Sequence, residues 1–373
     1  MANQEWSVQI TESVLPELKS LLQDQAALDK AWHYETGCIL KAIEQVWLKT
    51  KDERYYQLIH DLGGVLVSPE GKIRGYTIEE YNLDQINPGK ILFSLLKQSG
   101  DERYHKALRL LSIQMKGHPR TRDGGFWHKK VYPYQMWLDG LYMEGPFLAE
   151  FAKTFNEPGL YDEVASQLLL VERHTRDPIS GLLYHGWDES KEQKWANPQT
   201  GCSPHFWGRA MGWYAMAIVD VLDYLPVDHP KRGEIIGIFD RMITALVKVQ
   251  DPETGLWRQI LDQGNRPGNY LEASCSCMFV YALFKGIRLN YVSQNFQAKA
   301  EKGYTGIINN LAKVDQSGKV ILQSICGCAG LGGDPYRDGS YEYYIQEPVR
   351  VNDYKGLAPF ILASLEQEQM GGS

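Results

Sequence analysis

Asp139 stands in an apolar run, Met136-Trp137-Leu138-Asp139-Gly140-Leu141-Tyr142-Met143. A carboxyl group there is either hydrogen-bonded to a neighbouring amide or held for chemistry that needs a shifted pKa. A second carboxylate, Asp84, follows Asn82-Leu83. Asp84 lies 13 residues after Gly71 and Asp139 lies 14 after Gly125, so the two occupy nearly equivalent places in successive segments. Two carboxyl groups brought together in an aromatic-lined cavity have their pKa values pushed apart, which leaves one able to act as an acid. The plainer alternative is that each satisfies backbone amides at a helix start.

Other residue types suited to a polar ligand recur at comparable places. Arg209 and Trp213, in Phe206-Trp207-Gly208-Arg209-Ala210-Met211-Gly212-Trp213, are four apart and share a helix face. An arginine beside an indole can hold a carboxylate while the indole packs on an apolar ring face, and the same pair also reads as packing. Tyr34 belongs to Trp32-His33-Tyr34, which opens an earlier apolar stretch. His128 (in Trp127-His128-Lys129) and His185 (in Tyr184-His185-Gly186-Trp187-Asp188) sit three and four residues after Gly125 and Gly181. Trp257-Arg258 is a third segment of this kind.

The elements that must position these groups follow from a repeat. A turn recurs at Ser68-Pro69-Glu70-Gly71, Arg122-Asp123-Gly124-Gly125, Asp177-Pro178-Ile179-Ser180-Gly181, Asp251-Pro252-Glu253-Thr254-Gly255 and Asp315-Gln316-Ser317-Gly318. Proline sets φ at the start of such a turn and glycine supplies the positive-φ position, so a helix stops there. Polar-faced helices are expected near 9–24, 52–67, 101–116, 159–175, 231–250 and 294–313. More apolar ones are expected near 33–49, 82–98, 134–154, 204–224, 272–290 and 353–367, with Pro133 in the first turn of the third. The apolar helices are hydrophobic enough to be shielded on both sides, which favours closure over an open solenoid. The expected fold is all-α, an (α/α)6 barrel of six helical hairpins closed into a toroid, with residues 1–373 as a single domain.

Composition excludes several classes of function. Net charge is −7 with no basic block interleaved with aromatics, so nucleic-acid binding has no support. There is no signal-peptide pattern at the N-terminus and no apolar run of membrane-spanning length, so no membrane association is expected and the protein is expected in the cytoplasm. The six cysteines read as free thiols. The pairs Cys275/Cys277 and Cys326/Cys328 lack the usual zinc spacing, and no phosphate loop or dinucleotide fingerprint occurs, so neither metal nor cofactor is expected.

With Gly125-Phe126-Trp127-His128, Trp137-Leu138-Asp139-Gly140-Leu141-Tyr142-Met143 and Phe206-Trp207-Gly208-Arg209-Ala210-Met211-Gly212-Trp213 in view, the chain resembles the unsaturated rhamnogalacturonyl hydrolases of glycoside hydrolase family 105. The likeness runs from about Trp32 to the final helix. It implies the same barrel and the removal of a 4,5-unsaturated galacturonyl residue from rhamnose in the products of rhamnogalacturonan (pectin) lyases. By position, it implies that Asp139 is the general acid/base and Asp84 a second active-site carboxylate. Tyr34, His128, His185, Arg209 and Trp213 match substrate-contacting positions. Three other readings stand beside this one: an unsaturated glucuronyl hydrolase acting on glycosaminoglycan fragments, a non-catalytic oligosaccharide-binding toroid, and an inverting hydrolase of saturated glycans.

Overall fold

In Glu53–Leu66 the buried side chains include Tyr55, Leu58, Ile59, Leu62 and Leu66, a three-and-four spacing that draws one apolar stripe along the helix. Gly208–Val221 differs, because every residue but Asp220 is buried, which suits a helix covered on all sides. These two patterns alternate through the computed structural model, which describes residues 5–371. In chain order they form α1 (Trp6–Leu21) and α2 (Tyr34–Thr50), α3 (Glu53–Leu66) and α4 (Lys90–Ser99), α5 (Glu102–Gly117) and α6 (Leu138–Phe155). The second half continues with α7 (Gly159–Thr175) and α8 (Gly208–Val221), α9 (Arg232–Lys248) and α10 (Ala273–Arg288), α11 (Gln297–Gly306) and α12 (Tyr354–Gly371).

The even-numbered helices line the inside. Each packs against the inner helix before it and the one after it, and α12 returns to α2, so the ring closes as an (α/α)6 barrel. The seam is polar as well as packed. The Ser7 backbone N–H and hydroxyl donate to the Glu368 carboxylate at 3.0 and 2.6 Å, and Lys49 of α2 meets the same carboxylate at 2.7 Å. The Tyr354 hydroxyl donates to Glu17 at 2.8 Å, and Lys355 pairs with Glu35. No described helix is long and apolar enough to cross a membrane.

Three local expectations are corrected. Residues 134–137 are not helical: Tyr134 has φ 64°, and Gln135–Trp137 form a strand, β1, paired antiparallel with β2 (Gly186–Asp188). Pro133 therefore lies in the turn before a strand, and the helix begins at Leu138. Asp84 lies in a 3-10 turn, Leu83–Gln85, ahead of α4. In the second repeat the positive-φ glycine is Gly124 (φ 99°) and not Gly125, whereas Gly71, Gly181, Gly255 and Gly318 fall at the expected places.

After α11 the chain departs from the hairpin pattern. It makes two short antiparallel ribbons, β3 (Ala312–Val314) with β4 (Val320–Leu322) and β5 (Ile325–Cys326) with β6 (Val349–Arg350), and a helical turn at Tyr341–Gln346.

Gly37 on α2 shows how tightly the 3-10 region is seated. A Cβ there would lie 2.6 Å from Asn87 Oδ1 and 2.7 Å from Pro88 Cα, a collision with backbone as well as side chain. Gly37→Ala is expected to destabilise the fold by about 1–3 kcal/mol through overpacking, despite alanine's better helix propensity. The check is the midpoint of urea unfolding, which should fall.

Candidate active site

The start of α6 is fixed by backbone pairing on both sides of β1. Met136 pairs with Trp187 across β2, the His128 N–H donates to the Gln135 carbonyl at 2.8 Å, and the Leu138 N–H donates to the His185 carbonyl at 3.0 Å. Both histidines are thereby delivered beside the first turn of α6, where Asp139 is the second residue. Unpaired N–H groups and aligned dipoles favour negative charge at such a position. Gly140 lets the neighbouring turn close in, since a Cβ there would lie 2.9 Å from Leu83 Cδ1 and 3.2 Å from His128 Nδ1. Asp84 follows Leu83, so the two carboxylates come to one mouth as their spacing predicts.

Their partners differ. The Lys129 ammonium donates to Asp84 Oδ2 at 2.6 Å, and His128 Nε2 lies 3.7 Å from Asp84 Oδ1. Burial alone would push the Asp84 carboxyl up, but Lys129, then His128 and His33, outweigh it and bring the group down to about 2. Burial brings His128 down to about 4, more than Asp84 raises it, so at neutral pH this imidazole is uncharged and Lys129 is the cation that balances Asp84. The helix-cap alternative fails for the Asp84 side chain, because it is Asn82 that accepts the Asp84 backbone N–H, at 3.0 Å.

Asp139 has no such cation. Its Oδ2 is buried and faces His185 Nε2 at 3.2 Å without hydrogen-bond geometry, and both atoms lack a hydrogen-bond partner among the described residues. The Asp139 side chain is nevertheless 14% exposed, against 0% for His185. The accessible part is therefore made of side-chain atoms other than Oδ2. A buried polar pair left unsatisfied beside an opening is suited to a ligand's arrival.

His185 is held from behind. Its Nδ1 lies 2.7 Å from the hydroxyl of Tyr344, a residue of the helical turn at 341–346. The Tyr344 hydroxyl can donate to Nδ1 or accept from it, and either way it fixes the ring that faces Asp139 Oδ2. Trp137 stacks on His128 at 4.5 Å and meets His185 edge-on at 5.4 Å, while Trp207 closes on His185 at 4.7 Å.

Tyr34, Arg209 and Trp213 complete the mouth. Tyr34 is the first residue of α2, and its ring meets Trp213 at 6.1 Å, edge to face. Burial drives the Tyr34 hydroxyl well up, with Asp84 adding to the rise and Arg209 opposing it, so the phenol is a donor that stays protonated. Arg209 is buried; its Nε donates to Ser274, its Nη2 donates to the Cys326 carbonyl, and Glu272 lies 3.5 Å away. That leaves Nη1 as the nitrogen the described residues do not engage. Trp257 and Arg258 are not at the site: the Trp257 indole donates to Leu246 O at 2.9 Å, and Arg258 pairs with Asp251 at 3.1 Å.

Among the described residues no group of three or more His, Cys, Asp and Glu side chains is placed to hold a metal ion. Sequence reasoning missed the roles of Lys129 and Tyr344. Lys129 adjoins His128 and could have been read as a counter-ion. Tyr344 carries no local signal, because only the return of the chain after α11 brings it to His185.

The family model described as Glycosyl Hydrolase Family 88 matches residues 6–371. A solved structure from C. acetobutylicum, described as a glycoside hydrolase from family 105, is similar with a TM-score of 0.94 and 46% identity, covering 98% of this chain and 100% of that one. Protein Atu3128 of Agrobacterium fabrum is 38% identical over 59% of this chain and 96% of its own length. The unsaturated rhamnogalacturonyl hydrolase YesR of Bacillus subtilis is 28% identical over 77% of this chain and 80% of its own.

Two outcomes test the electrostatics. In Lys129→Met, burial no longer meets its main opponent, so Asp84 should titrate above the ordinary carboxylate value of about 3.9 instead of near 2. The sign of the pH dependence changes with it. In the parent the Asp84 contribution to stability is complete above about pH 4 and is lost as the pH falls through 2; in the variant it is lost as the pH rises through the new pKa. Carboxyl-carbon NMR titration reads this directly. Tyr344→Phe should leave the fold intact and change the tautomer balance of His185, seen in ring-nitrogen NMR shifts.

Proposed function

The chain belongs to Glycosyl Hydrolase Family 88 by that match and to glycoside hydrolase family 105 by its likeness to the C. acetobutylicum protein, and we propose from this that it removes a 4,5-unsaturated galacturonyl residue from rhamnose at the end of rhamnogalacturonan fragments. It is a glycoside hydrolase, and its substrate is an unsaturated oligosaccharide. The likeness to YesR supports the galacturonyl-rhamnose linkage. The observation that supports the mechanism is the unequal pair of carboxylates: Asp84 neutralised by Lys129 at 2.6 Å, and Asp139 with no lysine or arginine partner among the described residues and a side chain that is 14% exposed.

An ordinary glycosidase protonates the leaving oxygen and uses a second carboxylate as base or nucleophile. An unsaturated uronate is an enol ether, so the productive proton goes to carbon. Asp139 in its acid form donates a proton to C4, which leaves oxocarbenium character at C5 shared with the ring oxygen. Water adds at C5 and returns its proton to the Asp139 carboxylate. The resulting hemiketal opens to a 5-keto sugar and releases rhamnose, so Asp139 ends as it began.

Asp84, kept ionised by Lys129, accepts hydrogen bonds from ring hydroxyls. His185 faces Asp139 at 3.2 Å, and neutral His128, stacked on Trp137, lies 3.7 Å from Asp84. Nη1 of Arg209 and the Tyr34 hydroxyl meet the uronate carboxylate, while Trp213 offers a face to the ring.

Asp139→Asn should lower the rate of loss of the double-bond absorbance by about two to four decades, the usual contribution of a general acid/base. Retention of most activity would sink the assignment. Parallel assays on unsaturated galacturonyl-rhamnose, unsaturated chondroitin disaccharide and a saturated galacturonyl-rhamnose are expected to show turnover of the first in clear preference. Preference for the chondroitin product would favour a glucuronyl hydrolase; tight binding without turnover of any would leave a carbohydrate-binding toroid.

A further inference from the structure

The site described above is built from the N-terminal parts of inner helices and from the loops and 3-10 turn that precede them. Farther along the same helices, toward the opposite mouth, lies a cavity of about 660 Å³ lined by residues from all six inner helices. It shares none of the residues that carry the chemistry at the front. Tyr142 forms part of the partition between them: it follows Asp139 by three residues on α6, lines the rear cavity, and stacks on Trp213 at 5.0 Å.

Six of the charges lining this chamber are paired with one another. Lys285 meets Asp220 at 2.8 Å and Asp223 at 2.6 Å, and the Tyr281 hydroxyl donates to Asp220 at 2.6 Å. Lys41 meets Glu44 at 2.6 Å and Glu150 at 3.7 Å. Lys97 and Lys153 also line the chamber without a carboxylate partner among the described residues, but both are exposed; Lys90 is the buried exception. It is 2% exposed, its Nζ has no hydrogen-bond partner among the described residues, and the ammonium lies 3.8 Å from the centre of the Tyr142 ring. Burial lowers it to about 8, which still leaves the cation in the majority at neutral pH. A π face compensates a buried ammonium only in part.

We propose that the rear chamber is a second binding site, for a small sugar acid carrying a single carboxylate, with Lys90 as its anion contact. Three features select that chemistry. An unpaired ammonium calls for one anionic group. The paired carboxylates of Glu44, Glu150 and Asp220 supply acceptors for hydroxyls and repel a dianion such as phosphate or sulfate. Phe93, Tyr142 and Tyr281 supply ring faces, and the volume falls in the range of small-molecule pockets, roughly 300–1,000 Å³. The proposal does not depend on the reaction assigned to the front mouth.

The test reads Lys90 itself. Intact protein is treated at pH 8 with formaldehyde and a borane reductant, and dimethylation of each lysine is followed by peptide mass spectrometry. The probes are methyl galactosiduronate, which has no free aldehyde to react, and methyl galactoside, the same ring without the carboxylate. Lys90 should be modified in the free protein and protected by the uronate along a single-site curve, roughly tenfold at about ten times the dissociation constant. The neutral glycoside and sulfate should give no protection.

A Lys90 that is never modified would show a chamber closed to solutes, and equal protection by the neutral glycoside would remove the role of the ammonium; either result overturns the proposal. The same labelling on Asp139→Asn should be unchanged, which separates this site from failure at the front. In Lys90→Met, calorimetric titration with the uronate should lose the rear binding event.

Discussion

A ladder only three residues long, β1 against β2, governs the chemistry of this barrel. It ties residues 135–137 to residues 186–188, and its continuation passes His128 on one side and His185 on the other. Helix packing alone would leave the first turn of α6 free to slide or rotate by a fraction of a turn. The ladder removes that freedom, since a one-residue slip would invert which side chains face the mouth. Asp139 is therefore placed by a sheet-like constraint inside an otherwise helical architecture, and the two imidazoles come with it.

Closure of the ring creates the second condition, an interior where charge is expensive. The barrel handles each buried ion separately. Asp84 is compensated by Lys129, and Arg209 by Glu272 and two uncharged acceptors. At the rear, Lys41 and Lys285 each hold two carboxylates. Against that background the buried atoms left without a partner among the described residues, Asp139 Oδ2 facing His185 Nε2 in front and Lys90 Nζ behind, stand out.

Much of this was written in the spacing of residues. The alternation of one-sided and all-round apolar helices, punctuated by glycine turns, predicts six hairpins, and each of the twelve helices lies where its pattern puts it to within a few residues, apart from the starts of the second, third and fourth inner helices and the end of the last outer one. The equivalence of Asp84 and Asp139 in successive repeats is enough to bring them to one mouth. The errors share a physical cause. Met136-Trp137-Leu138 is apolar enough to pass for helix, and the strand partner that decides otherwise is some fifty residues downstream. The position of Lys129 against Asp84, and of Tyr344 behind His185, depends on which loops meet over the mouth, and periodicity carries no information about that. Arg209 was readable as an anion holder, but its engagement by Ser274, Glu272 and the Cys326 carbonyl was not.

The seam where Ser7 and Lys49 meet Glu368 has a consequence for how the molecule comes into being. A linear stack of hairpins can be covered progressively as it leaves the ribosome. A circle cannot: α2 waits for α12, so the apolar flank of the earliest inner helix stays without its final neighbour until the other five hairpins have been synthesised. The growing crescent has two raw ends, each matched to the other in the same molecule and equally to the corresponding end of another nascent copy. Intramolecular capture wins when the two ends are held close by a well-formed arc, so the rigidity of the four intervening hairpins serves assembly as much as it serves the finished catalyst.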